Sequence, residues 1–283
     1  MSTSFQTLIT AEQLRALIAA GPAPVILDTG FDLADTAAGE RAWLAGHLPG
    51  SHYLHLDRDL SAPKTGRNGR HPLPERGDFA RTLARVGVTA ERQVVVVDGQ
   101  GGMFAARAWW MLRWMGHAAV AVLDGGVAAW ARSGGALTTD RPAASDAAAG
   151  ADRPSLAPQF DADALSRQLG RVRLIDARAA ERFRGEVEPL DAQAGHIPGA
   201  RNRFFKDNLN ADGSFKPAAQ LRTEFEALLG LDAADRTVHQ CGSGVTACHN
   251  LLAMEHAGLS GSALYPGSWS EWSADPQRPV ARG

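Results

Sequence analysis

Short apolar runs alternate with longer helical patterns along this chain. The runs at 25–27 and 94–97 consist of Val, Ile and Leu, and an aspartate follows each of them. Such runs are typical of strands that are buried on both faces of a parallel sheet. Apolar residues at helical spacing lie in longer stretches, for example 103–115 and 217–229. The alternation predicts an α/β fold in which a mostly parallel sheet carries helices on both faces.

The whole pattern occurs twice, which indicates a tandem duplication of one domain. Four stretches recur in the same order at a nearly constant offset: PVILDTG and RLIDAR, GHLPGSHYL and GHIPGARNR, VVVVDGQGG and TVHQCGSGV, DGGVAAW and PGSWSEW. A stretch rich in Ala, Gly, Ser, Asp and Pro without apolar periodicity separates the copies and predicts a linker. We therefore expect an N-terminal domain over 1–135, a linker over 136–157 and a C-terminal domain over 158–283.

Composition narrows the possible functions. The chain has 283 residues, 45% hydrophobic and 21% charged, with a net charge of -2. These values are typical of a globular protein and give no reason to expect a nucleic-acid or membrane partner. We find no signal-peptide pattern, no apolar run of membrane-spanning length, no metal-ligand spacing and no nucleotide-binding loop. Two cysteines do not make a disulfide framework, so we expect free thiols and a cytoplasmic location.

The candidate chemistry lies in HQCGSGVTACHN, residues 239–250. Cys241 follows a predicted strand, and two glycines then precede a helix that we expect to begin near Thr246. Glycine allows the backbone to curl with positive φ, and a curled loop before a helix directs several N–H groups at one point. Such a loop stabilises a negative charge and therefore favours the nucleophilic thiolate or a persulfide. Cys248 falls inside the helix and is expected to be a core residue.

The loop CGSGVTA, the two GH-[LI]-PG motifs and the terminal PGSWSEW together resemble the tandem rhodanese-domain sulfurtransferases. The loop is most similar to that of the 3-mercaptopyruvate branch, because the thiosulfate branch usually carries basic residues where this chain has Gly242 and Ser243. The resemblance implies a duplicated α/β fold, no cofactor, and sulfur transfer through a persulfide on Cys241. It also implies a silent N-terminal domain, because Asp98 stands at the position of Cys241 in the first copy.

The resemblance further implies roles for individual residues. Arg182, the arginine of the family's R-[FY]-x-G pattern, would bind the anionic sulfur donor, and Arg178 would be structural. Ser243 would act with a histidine, which the resemblance places at His47 in GHLPG, with Asp35 as the nearest candidate partner. A structural role of His47 in the Pro49-Gly50 turn is the alternative. The cradle for the anion would come from backbone N–H groups of Gly242, Gly244, Val245 and Thr246.

The chain departs from the mercaptopyruvate pattern in one segment. That branch usually has a second arginine in an E-P-R stretch, whereas this chain reads Glu188-Pro189-Leu190-Asp191. Arg201 or Arg203 is a conjectural replacement. The resemblance also places Trp269 and Trp272 at the rim of the cleft. The expected donor is thus 3-mercaptopyruvate, with thiosulfate as the alternative, and the expected acceptor is a thiol, a thioredoxin-like protein or cyanide.

Other classes fit less well. A cysteine phosphatase needs an arginine six residues after its cysteine, and residue 247 is alanine. No cysteine-protease signature is present. A non-catalytic binding protein built from two such domains remains an alternative, although the intact CGSGVTA loop favours an enzyme.

Overall fold

The structure is a computed structural model that describes residues 4–145, 153–230 and 234–283. Its described residues form two compact units, and these do not divide the chain at a single point. The first unit draws on Met1–Ser61, Pro74–Leu156 and Ala211–Phe215, and the second on Ala62–Leu73, Ala157–Asn210 and Lys216–Gly283. The short segment 62–73 therefore belongs to the second unit, although it precedes most of the first unit in sequence.

The first unit contains a five-stranded sheet with the strand order β1-β5-β4-β2-β3. All pairings between these strands are parallel. The strands are β1 Leu8–Ile9, β2 Val25–Asp28, β3 Ser51–Tyr53, β4 Val94–Val97 and β5 Val120–Leu123. The helices are α1 Ala11–Ala20, α2 Ala38–Ala45, α3 Arg76–Arg85, α4 Ala105–Trp114 and α5 Gly126–Arg132. Strands β2 and β4 are buried along their full length, which is why their sequences are continuous apolar runs rather than alternating ones.

The second unit repeats this arrangement with a four-stranded sheet in the order β7-β6-β8-β9, and its pairings are again parallel. Its strands are β6 Arg173–Asp176, β7 Arg201–Asn202, β8 Thr237–Gln240 and β9 Ala263–Leu264. Its helices are α6 Ala162–Gln168, α7 Ala180–Phe183, α8 Ala218–Leu229, α9 Ala247–His256 and α10 Ser268–Trp272, with 3-10 turns at Phe205–Asn208 and Ala234–Arg236. The predicted α/β class and the two parallel sheets are confirmed.

The predicted helices 103–115 and 217–229 correspond to α4, which begins two residues later and ends one residue earlier, and to α8, which begins one residue later. Of the predicted linker 136–157, residues 146–152 lie outside the described residues. The part before them packs back on the first unit, where Thr138 forms an antiparallel bridge with His47.

Two strands in each sheet end at the same edge and carry the candidate chemistry. Asp28 ends β2 in register with Val97, so Asp98 follows one residue beyond that pair. Asp176 ends β6 in register with Gln240, and Cys241 follows in the same way. The carboxyl edge of a parallel sheet is where α/β proteins bind ligands.

Candidate active site

Cys241 stands directly after β8 and is 1% exposed. The beginning of α10 holds its backbone on both sides. Its N–H donates to Ser268 Oγ at 3.1 Å, and its carbonyl accepts from the Trp269 N–H at 3.0 Å. Ser268 has φ 54°, a left-handed conformation that is uncommon for serine and costs conformational energy. The PGSWSEW segment therefore supports the Cys241 loop through main-chain and side-chain hydrogen bonds.

The two loop glycines serve different purposes. Gly244 has φ 75°, and a Cβ there would lie 2.2 Å from the carbonyl oxygen of Pro266. Both the conformation and the close backbone approach therefore require glycine at this position. Gly242 has no positive φ, but a Cβ there would lie 2.7 Å from Arg70 Nη2. The missing side chain at 242 thus leaves room for a guanidinium group.

Ser243 meets a histidine, but a different one from the one predicted. Ser243 Oγ lies 2.8 Å from Nδ1 of His71, and both side chains are buried. His71 belongs to the segment 62–73, which is part of the second unit. A hydroxyl that contacts an imidazole can relay a proton, so this pair is a candidate acid–base group.

The contacts of His47 correct its predicted role as the partner of Ser243. Its Nδ1 lies 2.7 Å from the carbonyl oxygen of Trp43, its Nε2 lies 3.1 Å from that of Asp140, and its ring stacks on Trp43. His196 of the second GH-[LI]-PG motif repeats the arrangement: its Nδ1 lies 2.8 Å from the carbonyl oxygen of Phe183 and its ring stacks on Phe183. The motif histidine therefore makes structural contacts in both copies, although its ring packs on the preceding helix and not, as the alternative had it, in the Pro49-Gly50 turn.

The predicted aspartate partner is also displaced from this chemistry. Asp35 forms an exposed ion pair with Arg41, at 2.5 Å. Nothing in the sequence around Lys64 to His71 marked His71 as a site residue, because the segment is polar and has no apolar periodicity. Its position beside Ser243 depends on the path of the chain between the units.

Two guanidinium groups lie close to Gly242, the residue after Cys241. Arg182 is predicted to bind the donor, and its Nη1 would lie 3.5 Å from a Cβ on Gly242, while Arg70 Nη2 would be nearer still. Arg182 Nη2 donates to both carboxylate oxygens of Glu188, at 2.7 and 3.0 Å. Asp191 accepts from Arg70 through Oδ1, and lies 3.5 Å from Arg182 Nη2 through Oδ2. Arg70 and Arg182 therefore share one acidic partner beside the Cys241 loop.

Arg178, the neighbouring Arg184 and the two conjectural replacements are engaged elsewhere. Arg178 is buried, and its guanidinium binds the Asp176 carboxylate with Nη2 at 2.7 Å, in keeping with a structural role. Arg184 pairs with Glu186 at the surface. The conjectural replacements for a second donor arginine bind other groups: Arg203 contacts Glu224 at 2.6 Å, and Arg201 donates to the Leu228 carbonyl.

Several remaining expectations concern α9 and α10. Cys248 is buried within α9, and its Sγ lies 3.3 Å from the Gly244 carbonyl oxygen, as expected for a core residue. Thr246 occupies the N-cap position of α9, but its side chain makes no capping hydrogen bond. Trp269 and Trp272 were expected at the cleft rim, and this is wrong: both are fully buried in the core of the second unit. Their indole N–H groups donate to the carbonyls of Gln193 and Pro279.

The first unit shows what a loop of this kind can bind. Asp98, at the position of Cys241, directs its carboxylate into its own loop. The carboxylate accepts four backbone N–H groups at 2.8 to 2.9 Å, from Gln100, Gly102, Phe104 and Ala105. The offset is 241 − 98 = 143, so the equivalents of Gln100 and Gly102 are Ser243 and Val245. Of the four residues predicted to form the cradle, Val245 alone aligns with a donor of the first loop.

Some kinds of site find no support in residues 4–145, 153–230 and 234–283. No three His, Cys, Asp or Glu side chains in these ranges are grouped so that they could hold a metal ion. Across the same ranges, none of the helices combines the length and the apolar character needed to cross a membrane.

Comparison with known proteins relates this geometry to characterised families. The model of the rhodanese-like domain matches residues 10–133 and 161–275. A Pseudomonas aeruginosa protein named "Probable 3-mercaptopyruvate sulfurtransferase" is 48% identical over 284 residues, covering 98% of each chain. The "Putative thiosulfate sulfurtransferase SseB" of Mycobacterium tuberculosis is 41% identical over 288 residues, covering 100% of this chain and 99% of the relative. The solved 3-mercaptopyruvate sulfurtransferase from Leishmania major superimposes with a TM-score of 0.82 at 27% identity, covering 97% of this chain and 76% of that one.

Proposed function

The chain belongs to the rhodanese family, and from this premise we propose that it is a sulfurtransferase that moves sulfur from 3-mercaptopyruvate to a thiol or cyanide acceptor. The predicted family is confirmed by the domain matches in both halves. The observation that carries the proposal is the position of Cys241 at the carboxyl end of β8, with the Ser243–His71 pair and two guanidinium groups around the same loop. Cys241 would carry the sulfur as a persulfide.

The first step transfers the donor's sulfur. The Cys241 thiolate attacks the thiol sulfur of 3-mercaptopyruvate, a sulfur–sulfur bond forms, and the carbon–sulfur bond of the donor breaks. The electron pair of that bond remains on carbon as the enolate of pyruvate, which takes up a proton to become pyruvate. The Ser243 hydroxyl and the His71 imidazole, 2.8 Å apart, supply a route for that proton.

The second step returns the enzyme to its starting form. A thiolate or cyanide attacks the outer sulfur of the persulfide, and Cys241 leaves as a thiolate. The thiolate and the persulfide are both anions, and the loop stabilises them with backbone N–H groups as the first unit's loop stabilises Asp98. Two half-reactions on one enzyme sulfur predict ping-pong kinetics.

Thiosulfate is the alternative donor. The segment Glu188–Asp191 carries no second arginine, unlike the mercaptopyruvate branch, and one relative with 41% identity is named as a thiosulfate sulfurtransferase. We favour 3-mercaptopyruvate because residues 242 and 243 are small and uncharged and because Ser243 contacts His71. A keto acid needs a proton donor at this place, whereas the sulfite that leaves thiosulfate is already a stable anion.

The test begins with intact mass spectrometry after incubation with each donor. The wild type and Cys248→Ser should gain one sulfur atom, whereas Cys241→Ser should gain none. Steady-state kcat/KM for 3-mercaptopyruvate and thiosulfate, measured side by side with cyanide, then identifies the preferred donor. If thiosulfate is preferred, the donor assignment is wrong but the persulfide mechanism stands. If Cys241 takes up no sulfur from either donor, the chain is a non-catalytic binding protein.

The acceptor and the compartment are parts of the same proposal. We expect a low-molecular-weight thiol, a thioredoxin-like protein or cyanide to take the outer sulfur. Both cysteines are free thiols in the structure, which fits a reducing compartment such as the cytoplasm. Fractionation of cells that express the protein tests the compartment.

A further inference from the structure

We infer that three exposed residues, Val187, Pro189 and Leu190, form the docking surface for a thioredoxin-like protein that accepts sulfur from Cys241. These three residues, the apolar tip, lie in the second unit, in the segment between α7 and β7. The inference rests on the proposed function, since the acceptor takes its sulfur from the same persulfide. Cyanide and low-molecular-weight thiols are too small to cover such a surface, whereas a protein acceptor covers it.

The exposed apolar side chains of the second unit are concentrated at this tip. Val187 is 50% exposed and Leu190 is 47% exposed, and they are the two large hydrophobic residues exposed to this degree among the described residues of the second unit. Pro189 beside them is exposed as well. Single exposed apolar residues are common on protein surfaces, but a contiguous group beside a reactive centre indicates contact with another protein.

The side chain of Glu188 connects the apolar tip to the Cys241 loop. It is 3% exposed and binds Arg182 Nη2 at 2.7 Å, and Arg182 Nη1 lies 3.5 Å from the position of a Cβ on Gly242. Two contacts therefore separate the middle of the tip from the residue after Cys241. A typical protein interface buries about 800 Å² on each partner, a patch about 30 Å across, so one partner covers both the tip and the loop.

Glu188 also fixes the shape of the tip. Its Oε1 accepts the backbone N–H groups of Leu190 at 3.0 Å and of Asp191 at 3.2 Å. Its Oε2 lies 3.0 Å from Arg182 Nη2 and 3.4 Å from Arg178 Nη1. The carboxylate is thus held inside by two arginines, while the apolar side chains on either side of it are exposed. A surface that is already ordered loses little entropy when a partner binds.

The acidic side chains of residues 186–191 are all paired with arginines, so this segment presents its apolar side chains without an unpaired charge. The pairs are Glu186 with Arg184, Glu188 with Arg182, and Asp191 with Arg70. The centre of a protein interface is typically depleted in charge. The partner that fits is a small redox protein whose Cys-x-x-Cys thiols lie in an apolar surface. Redox encounters of this kind bury less than about 1,200 Å², and a tip of three residues suits such a transient contact.

The burial of Cys241 requires the partner to approach the loop closely. Cys241 is 1% exposed, and a persulfide extends it by one sulfur–sulfur bond of about 2 Å. The partner's thiolate attacks the outer sulfur, the sulfur–sulfur bond of the Cys241 persulfide breaks, and Cys241 leaves as a thiolate. The partner's second thiolate then attacks the carbon-bound sulfur of the new persulfide, which forms a disulfide in the partner and releases hydrosulfide. The two electrons that the partner's thiols lose leave with the hydrosulfide.

The test measures the second half-reaction alone. The protein is loaded with sulfur, freed of donor by gel filtration, and mixed with reduced thioredoxin or with cyanide; intact mass spectrometry after rapid quenching follows the loss of the added sulfur. The variant combines Val187→Ser with Leu190→Ser. The matched control combines Leu44→Ser with Leu137→Ser, two residues of the first unit that are 37% and 44% exposed.

The two acceptors should respond differently. In the Val187/Leu190 variant the second-order rate constant for thioredoxin should fall about tenfold or more, because apolar area that the complex buries is lost. The rate constant for cyanide should stay at the wild-type value. The control variant should match the wild type with both acceptors.

An unchanged rate constant for thioredoxin in the Val187/Leu190 variant would overturn the inference, as would an equal loss with thioredoxin and cyanide. A wild type that passes sulfur to cyanide but not to thioredoxin would overturn it as well. A wild-type dimer in light scattering that the Val187/Leu190 variant does not form would assign the tip to a second copy of this chain, against the inference. If no sulfur is added before an acceptor is mixed in, the proposed function itself fails and the inference with it, and the mass of the loaded protein distinguishes this failure from the others.

Discussion

Replacing Asp98 with asparagine should destabilise the first unit and leave the chemistry of Cys241 intact. The Asp98 carboxylate accepts four backbone N–H groups, two on each oxygen, and the side chain is 1% exposed. Asparagine keeps one oxygen but presents an NH₂ group where the other oxygen was. Two backbone N–H donors then face a donor, in a place that water does not reach.

The size of the effect follows from the hydrogen bonds that are lost. A hydrogen bond to a charged group contributes about 1.5 to 3 kcal/mol, so losing two should cost about 3 to 6 kcal/mol. This is a large share of the roughly 5 to 15 kcal/mol that stabilises a typical domain. Asp98→Asn should therefore lower the urea midpoint of the first unit by a wide margin.

The assay has to follow the two units separately, because one unfolding free energy is not defined for a chain with two units. Amide hydrogen exchange read by mass spectrometry over a urea series does this, with peptides that cover β4 and β8. In Asp98→Asn the β4 peptide should lose protection at lower urea than in wild type, and the persulfide on Cys241 should still form in buffer. In Cys241→Ser the β4 peptide should keep the wild-type urea midpoint, and no persulfide should form. A β4 midpoint equal to that of wild type would refute the reasoning, because the carboxylate would then contribute nothing.

Three further predictions concern single residues. Gly244→Ala should abolish persulfide formation and lower the free energy of unfolding, measured in urea, by about 2 kcal/mol or more, because its Cβ would clash with the Pro266 carbonyl. The control is Gly170→Ala, where φ is 78° but the surrounding space is open, and its effect should be much milder. Burial lowers the pKa of His239 from 6.5 to about 3, so the folded chain keeps this ring neutral while the unfolded chain protonates it. Wild type should therefore lose about 2 kcal/mol relative to His239→Phe between pH 7 and pH 5, and parallel pH curves would contradict this. Burial raises the pKa of Asp28 to about 6, so its stabilising contribution is complete below pH 4 and is lost as the pH rises through 6. Relative to wild type, the free energy of unfolding of Asp28→Asn should be about 2 kcal/mol more favourable to the folded state at pH 8 than at pH 4. A difference between variant and wild type that does not depend on pH would show that ionisation of Asp28 is not the cause.

The repeated pattern predicted much of the architecture correctly. The runs 25–27 and 94–97 became fully buried strands, and the aspartates and the cysteine after such runs stand at the carboxyl edges of the two sheets. These features follow from the local sequence, because burial on both faces demands continuous apolar residues and a parallel sheet places its strand ends together. The comparison of Asp98 with Cys241 could be made from the alignment of the two copies alone.

The partners of Cys241 were predicted less well. The GHLPG motif suggested His47, whose ring instead stacks on Trp43 of α2, and Asp35 forms a surface ion pair. Trp269 and Trp272, which were expected at the cleft rim, point into the core because both lie on the buried face of α10. A motif indicates a local turn or helix, but it does not indicate which distant side chain approaches it.

The sequence by itself determined the fold class, the duplication and the identity of the candidate nucleophile, since each depends on the conformation or burial of neighbouring residues. Only the tertiary structure decided that His71 contacts Ser243 and that Arg70 lies beside Gly242. Both residues come from the polar segment 62–73, which packs with the second unit although most of the first unit follows it in sequence. The physical reason is that hydrogen bonds and ion pairs between residues more than a hundred positions apart depend on the path of the whole chain, which no local pattern of polar and apolar residues specifies.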